Sequence, residues 1–452
     1  MKKKKISLST AHIIMLSFLA VILIGSLLLS LPISAADGKR VSYIDALFTA
    51  TTSTCVTGLV TLPTVSTWSI FGQVVILVLI QIGGLGVITI MSGIMIVLHK
   101  RMGLGDRLLI QDAFNLNTLS GLVRFVKKVI CGTFIVEGIG ALLYMTVFIP
   151  EFGSKGIWIS VFNSISAFCN AGIDVISENS LCDYAQNPMI NAVTMTLIIL
   201  GGIGFIVWWD MIEAFKKIRT RGIKAFLEIS LHSKIAITAT IILIFGGAAV
   251  YFILEYNNPL TMKGLGFFER LQLSFFQSVT TRTAGFATIP QQNLTETSAF
   301  ATLLLMFIGG SPVGTAGGIK TVTFFILIAS AISSIKNRNE IILFNRNIPK
   351  PAVVKAIAVV AMSFATAFIS TLLLGAVTKA PLTDIMYETF SATATVGLTR
   401  NLTPSLNLIG KLIITATMYL GRIGPISLAI AFNLRKENQN KIKNPTEDIS
   451  VG

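Results

Sequence analysis

Four short stretches carry the chemistry open to this chain. They read FTATTSTCVTG at 48–58, FNSISAFCNAG at 162–172, FFQSVTTRTAG at 275–285 and YETFSATATVG at 387–397. They align without a gap: an aromatic (Phe48, Phe162, Phe275, Tyr387) stands ten residues before a glycine (Gly58, Gly172, Gly285, Gly397). A repeat of this kind sets the architecture. Glycine opens backbone conformations closed to other residues and allows close approach to a ligand. If each stretch lies at bilayer depth and is not helical, its carbonyls lack partners unless protein or a hydrated cavity supplies them. Four such segments on one axis can replace the hydration shell of a monovalent cation. The candidate oxygens belong to Cys55, Val56, Thr57 and Gly58; Cys169, Asn170, Ala171 and Gly172; Arg282, Thr283, Ala284 and Gly285; and Ala394, Thr395, Val396 and Gly397. Asp174 is the one carboxylate close to a glycine, so selection by carbonyls suits the loops better than selection by an acid ring. Arg282 is expected to brace its loop or reach the outer mouth, because a cation lining the path would repel the ion.

The elements that must hold these stretches follow from composition. The chain has 452 residues, 53% hydrophobic and 13% charged, with mean hydropathy +0.77. That is the signature of a polytopic membrane protein. Each stretch lies between two apolar runs long enough to span a bilayer, which takes roughly 20 residues. The expected fold is all-α: four pseudo-symmetric span–pore-helix–span units around one central pore, with eight transmembrane helices. The units are 1–98, 99–215, 216–335 (with a broken second span) and 336–434, followed by a tail at 435–452. Lys2–Lys5, an apolar run and ISAAD imitate a secretory signal, but the run 12–31 fills the slot of a span and reads as retained. A half-helix entering each loop would direct its negative dipole end at the pore centre. Lysine and arginine concentrate at the N-terminus, in 99–128, 216–234 and 336–355, and at the C-terminus, which places both termini in the cytoplasm. The net charge of +15 is therefore topological and gives no case for nucleic acid. The segment 107–128 reads as a helix on the inner surface, facing either anionic lipid or a docking partner.

The second spans carry a further glycine set: QIGGLGVI at 81–88, LGGIGFIV at 200–207, FIGGSPVG at 307–314 and LGRIGPIS at 420–427. In the third copy Gly309, Gly310, Ser311, Pro312, Val313, Gly314, Thr315, Ala316, Gly317 and Gly318 leave no regular helix. A mid-membrane loop is expected there. It is not a phosphate loop, since Ile319 separates Gly318 from Lys320 and no strand precedes it. Arg422 takes the place of a second glycine in the fourth copy. An arginine at that depth is costly and functional, acting as a positive barrier or tying helices through backbone carbonyls. Glu137 and Glu388 are further buried acids, open to pairing with Arg422 or to helix packing. Cys55, Cys131, Cys169 and Cys182 form no CxxC pair, and no carboxylate or nucleophile stands at catalytic spacing from His12, His99 or His232 in the sequence. No catalysis, metal site or cofactor is expected in the chain. A sodium- or proton-selective carrier would place a dedicated acid at its site, which the loops lack; a membrane scaffold without flux is the alternative of another class.

Together the four units, the glycines 58, 172, 285 and 397, the broken third second-span and Arg422 resemble the Trk/Ktr/HKT superfamily of potassium transporters over nearly the whole chain. The absence of an extra N-terminal pair of spans and the run FQSVTTRTAGF look most like the Ktr type. The resemblance implies potassium uptake at the plasma membrane, often sodium-dependent, by a homodimer with one pore per subunit. It also implies a cytosolic ring of nucleotide-binding regulatory subunits of KtrA type, so that any nucleotide sits on the partner. The filter glycines carry over to Gly58, Gly172, Gly285 and Gly397, the gating loop to Gly309–Gly318 and the pore arginine to Arg422. Glycine at 58, where sodium-selective plant relatives have serine, favours potassium. Pro312 departs from the loop pattern of the family.

Overall fold

The computed structural model describes residues 10–98, 103–113, 121–222, 224–338 and 340–424. The tail 435–452, residues 425–434 of the fourth second span, Lys2–Lys5 and part of the segment 107–128 lie outside those residues. Four described helices are long and apolar enough to cross a membrane: Thr10–Leu29, Leu122–Phe152, Leu231–Glu255 and Lys350–Val377. Each is followed by a shorter helix whose C-terminal part is buried: Tyr43–Cys55, Lys155–Cys169, Phe267–Thr280 and Leu382–Ala394. The surface helix expected at 107–128 is described as two pieces, Leu104–Ala113 and the start of Leu122–Phe152.

The second spans differ from expectation. The sequence marks only the third as broken, yet the first turns by 95° between Ile70–Leu85 and Val87–Val97, and the second by 100° between Pro188–Gly202 and Phe205–Arg221. The turning residues are Gly86 (φ 86°, ψ 138°) and Gly204 (φ 95°, ψ 139°). Gly424 repeats that conformation after Leu408–Ile423 (φ 83°, ψ 144°). Only glycine takes this backbone without strain. The third copy has Pro312 at the matching position, and proline fixes φ near −65°. A single-residue bend is closed to it. The third span instead leaves helix between Glu296–Phe307 and Thr321–Ile335, with a parallel bridge Ile308–Ile319 closing the neck of the loop.

Glycine also sets how the second spans approach the short helices. A Cβ on Gly83, Gly201 or Gly421 would collide with the carbonyl oxygen of Thr54, Phe168 or Thr393, near the end of the short helix of the same copy. The first spans repeat a further device. Gly140 packs on Ser164 while Tyr144 bonds Thr194 at 2.6 Å; Gly247 packs on Ser278 while Tyr251 bonds Thr302 at 2.7 Å.

Successive copies are joined side by side. Trp158 Nε1 donates to Gln73 Oε1 (2.7 Å) between the first and second, and Gln272 Nε2 to Ala185 O (3.2 Å) between the second and third. Arg400 bridges Glu296 and Asp384 at 2.8 Å each between the third and fourth. Lys411 pairs with Asp45 at 2.6 Å, both half-buried or deeper, and closes the fourth onto the first. Buried apolar packing behind these links, around Trp68, Phe162 and Phe168, fixes the short helices against one another.

Candidate functional site

The four glycines meet. A Cβ on Gly58 would lie 2.7 Å from Ala171 O, one on Gly172 2.6 Å from Ala284 O, and one on Gly285 2.5 Å from Val396 O. A Cβ on Gly397 would collide with Thr57 O. Each glycine therefore faces the backbone oxygen of the residue before the next glycine, and the series returns to its start. Every one has positive φ: 100°, 62°, 83° and 97°. Glycine is required twice over, by conformation and by space. The residues two before each glycine, Val56, Asn170, Thr283 and Thr395, also have positive φ, from 51° to 67°. A left-handed non-glycine residue costs roughly 1–2 kcal/mol, so the surrounding loop must over-determine it.

Hydroxyls do so. Thr52 Oγ1 accepts from Gly58 N at 3.0 Å and Ser391 Oγ from Gly397 N at 3.0 Å. Ser166 Oγ accepts from Ile173 N at 3.2 Å. Thr52, Ser166 and Ser391 stand at one matched position, and the third copy has Val279 there. The ungapped alignment therefore needs a correction. In the third loop Thr280 takes the role, donating to Phe286 O at 2.6 Å, and the fully buried aromatic is Phe276, with Phe275 only partly covered. Between the hydroxyl and the glycine that loop is one residue shorter.

The remaining candidates divide by place. Cys55 is fully buried in a core cluster with Leu59. Cys169 lies beside Gln81 and Glu137. Arg282 directs its guanidinium at Thr240 Oγ1 of the span Leu231–Glu255 (3.3 Å), a contact that braces its loop. Asp174 accepts from Ile176 N at 3.3 Å within its own turn. Glu137 accepts from Gln81 Nε2 at 3.1 Å, and Glu388 accepts the hydroxyls of Thr399 (2.7 Å) and Thr403. These two acids are held by neutral donors.

The glycine-rich loop 308–320 is stitched to the rest. Ser311 N and Thr315 N donate to Gly202 O (2.8 Å) and Gly201 O (3.1 Å), and Phe205 N donates to Val313 O (2.9 Å). Gly310 packs on Ala316, Gly314 on Gly201 O, and Gly309 and Gly318 on each other. Arg422 reaches the same loop from the fourth copy: Nη1 donates to Thr315 O at 2.7 Å, and Nη2 to Gly83 O at 2.5 Å and Gly84 O at 3.4 Å. Of the two roles open from sequence, tying backbone carbonyls is the one this geometry displays. Lys320 Nζ donates to the adjacent Ala316 O at 2.6 Å. A cavity of about 300 Å³ opens beside them, lined by Gly84, Gly86, Gly317, Lys320, Thr393 and Arg422. Sequence reasoning places Lys320 at membrane depth without a role and misses the hydroxyl locks, for which the matched Thr52, Ser166 and Ser391 are the available signal.

Comparison with known proteins gives the family. The TrkH family, described as cation transport protein, matches residues 3–443. The chain is 40% identical over 450 residues to the Ktr system potassium uptake protein B of Bacillus subtilis, covering 99% of this chain and 98% of that one. It is 38% identical over 457 residues to the potassium/sodium uptake protein NtpJ of Enterococcus hirae, covering 100% and 99%. Its fold is like that of the potassium transporter TrkH from Vibrio parahaemolyticus, with TM-score 0.75 at 17% identity, over 95% of this chain and 86% of that one. A helical, multi-pass protein of this sequence and fold belongs to the TrkH/Ktr family of cation transport proteins.

Proposed function

We propose that this chain conducts potassium into the cell through the ring of Gly58, Gly172, Gly285 and Gly397. The observation that carries the reading is the closed series of glycine-to-carbonyl approaches from Gly58 back to Gly58. A dehydrated alkali ion needs several oxygens at once, and four loops donating backbone carbonyls supply them without a fixed charge. The filter comprises residues 55–58, 169–172, 282–285 and 394–397. Beside it the loop Gly309–Gly318 and Arg422 form the gate, with Arg422 as its latch and as a positive charge on the ion path. Relatives named for potassium uptake, and one for potassium and sodium, favour potassium with a sodium link.

The architecture that serves this is four units of two spans each, 1–98, 99–215, 216–335 and 336–434, eight crossings in all, in the plasma membrane. Both termini are cytoplasmic, as the lysine and arginine distribution requires. The chain works as a homodimer and is controlled by a cytosolic nucleotide-binding ring of KtrA type. The test is rubidium uptake into sealed, potassium-loaded vesicles containing the purified protein, with and without such a ring. Uptake that excess potassium blocks and excess sodium blocks poorly is expected. Folded protein that gives no uptake in either condition overturns the proposal.

A further inference from the structure

Two polar side chains break the pattern of their copies, and they meet. Ser164 Oγ donates to Glu137 O at 2.6 Å, and Ser278 Oγ donates to Ile244 O at 2.8 Å. The spans Leu122–Phe152 and Leu231–Glu255 are thus tied to their short helices by the same main-chain bond, and Glu137 stands where the next copy has Ile244. Gln81, two residues before Gly83, stands where the second and fourth copies have Ile199 and Tyr419 before Gly201 and Gly421. Glu137 is 3% exposed on the first span of the second copy, and Gln81 reaches it from the second span of the first. Gln81 Nε2 donates to both carboxylate oxygens, at 3.1 and 3.2 Å. Cys169 Sγ closes the cluster, 3.6 Å from Gln81 Oε1 and 3.8 Å from Glu137 Oε1. A Cβ on Gly84 would lie 2.6 Å from that sulfur, so the first copy presses on the thiol as well.

The third copy keeps the main-chain bond with an isoleucine, so the fold does not require the acid. Burying a carboxyl costs free energy, and an amide from another copy is brought in to meet it. What the pair adds is a grip on Cys169, the first residue of the second filter loop. We infer that Glu137 and Gln81 are positioning residues: they fix Cys169 from behind, and so set how sharply the ring discriminates potassium from sodium. The second loop is also the wall on which the first one rests, since a Cβ on Gly58 would lie 3.2 Å from Gly172 Cα. A second loop free to shift would follow ions of either size, and discrimination would fall. The inference rests on the proposed ion path, and it adds two side chains that act on the ion only through the loop they hold.

The test uses the purified full-length chain in sealed vesicles. It reads the concentrations of sodium and of potassium that halve rubidium uptake, together with the midpoint of thermal unfolding. The variants are E137I, Q81I and the double E137I/Q81I, which place at each position the residue that another copy carries there. Either single change leaves a buried polar group unmatched and should lower the midpoint, whereas changing both should restore most of it. Selection should not follow. The sodium-to-potassium ratio should fall about tenfold in all three variants, the smaller end of what losing an outer partner does at a metal site. E137Q, which keeps an acceptor for Gln81, should recover most of the ratio lost in E137I. The double variant carries the test if the single ones do not fold. A ratio that recovers with the midpoint in the double variant, a ratio unchanged in folded variants, a loss in E137Q as large as in E137I, or a folded double variant without uptake each overturns the inference. Absence of uptake by the wild type would instead overturn the ion path.

Discussion

On the proposed function, replacing Arg422 separates two ways a buried arginine can close a pore. Its guanidinium joins Thr315 O of the glycine-rich loop to Gly83 O of the first copy, with a longer contact to Gly84 O. The loop's backbone ties to the second copy, at Gly201, Gly202 and Phe205, survive the change. R422A therefore frees one side of the loop and leaves the other anchored. A hydrogen bond to a charged group contributes roughly 1.5–3 kcal/mol net. Gly83 and Gly84 line the adjoining cavity of about 300 Å³, so their carbonyls can be rehydrated when the guanidinium is removed. Losing about 2 kcal/mol from the closed arrangement shifts the closed-to-open ratio about 30-fold, at 1.4 kcal/mol per factor of ten. Basal rubidium uptake without any regulatory partner should rise by up to that factor. Two milder variants tell latch from barrier. R422K keeps the charge, but a single ammonium cannot hold two carbonyls in the geometry of a planar fork. R422Q keeps a donor and loses the charge. A latch predicts that both lie between wild type and R422A. A pure field barrier predicts that lysine matches wild type and glutamine matches alanine. Folded R422A with wild-type uptake refutes both.

Three further outcomes follow from the same geometry. G58S places a side chain at φ 100° and 2.7 Å from Ala171 O, so the ring must widen and potassium should lose its advantage over sodium in competition uptake; unchanged competition in folded protein rejects the role. S391A removes the acceptor for Gly397 N, a bond of about 1 kcal/mol, and is expected to lower the midpoint of thermal unfolding and broaden ion selection; T52V should act alike on the first loop, and a purely thermal effect would confine these hydroxyls to stability. K411A leaves Asp45 unpaired at a largely buried site, where breaking an ion pair costs about 3–5 kcal/mol; unfolding in detergent should come several degrees lower, and the charge-swapped pair D45K/K411D should recover part of the loss.

Local rules made much of this legible in the sequence. The glycines that meet at the ring, the buried aromatics and the break at Pro312 are each dictated by a single residue's conformational limits or by periodicity. What escaped depended on partners distant in the chain or on one-residue shifts. Nothing local marks Lys411 as the partner of Asp45, or Arg400 as the bridge from Asp384 to Glu296, because those pairs exist only once the copies have closed on one another. The bends at Gly86 and Gly204 escaped because an apolar run with one glycine reads as a continuous helix until the packing turns it. The shorter third loop escaped because an ungapped match at the glycine hides a deletion before it. Val279, standing where the other copies have a hydroxyl, was the one trace.

On the proposed reading of a filter and a gate, the unequal copies have a physical rationale. An ion ring needs near-equivalence, since one loop out of register would leave the ion short of an oxygen; the glycines and the positive-φ residues before them meet that need in all four copies. A gate needs the reverse, because four identical spans would all take the conformation of Gly86, Gly204 and Gly424 and leave nothing free to move. Pro312 supplies the difference. Barred from the conformation that Gly86 adopts, the third span unwinds, and the residues released from helix are those that reach Phe168, Asn170, Thr283 and Arg422. On this argument P312G should let the third span recover the bend and withdraw those residues from the ring. Uptake without a partner should then rise as in R422A, and a folded P312G with wild-type basal uptake would separate the proline from the gate.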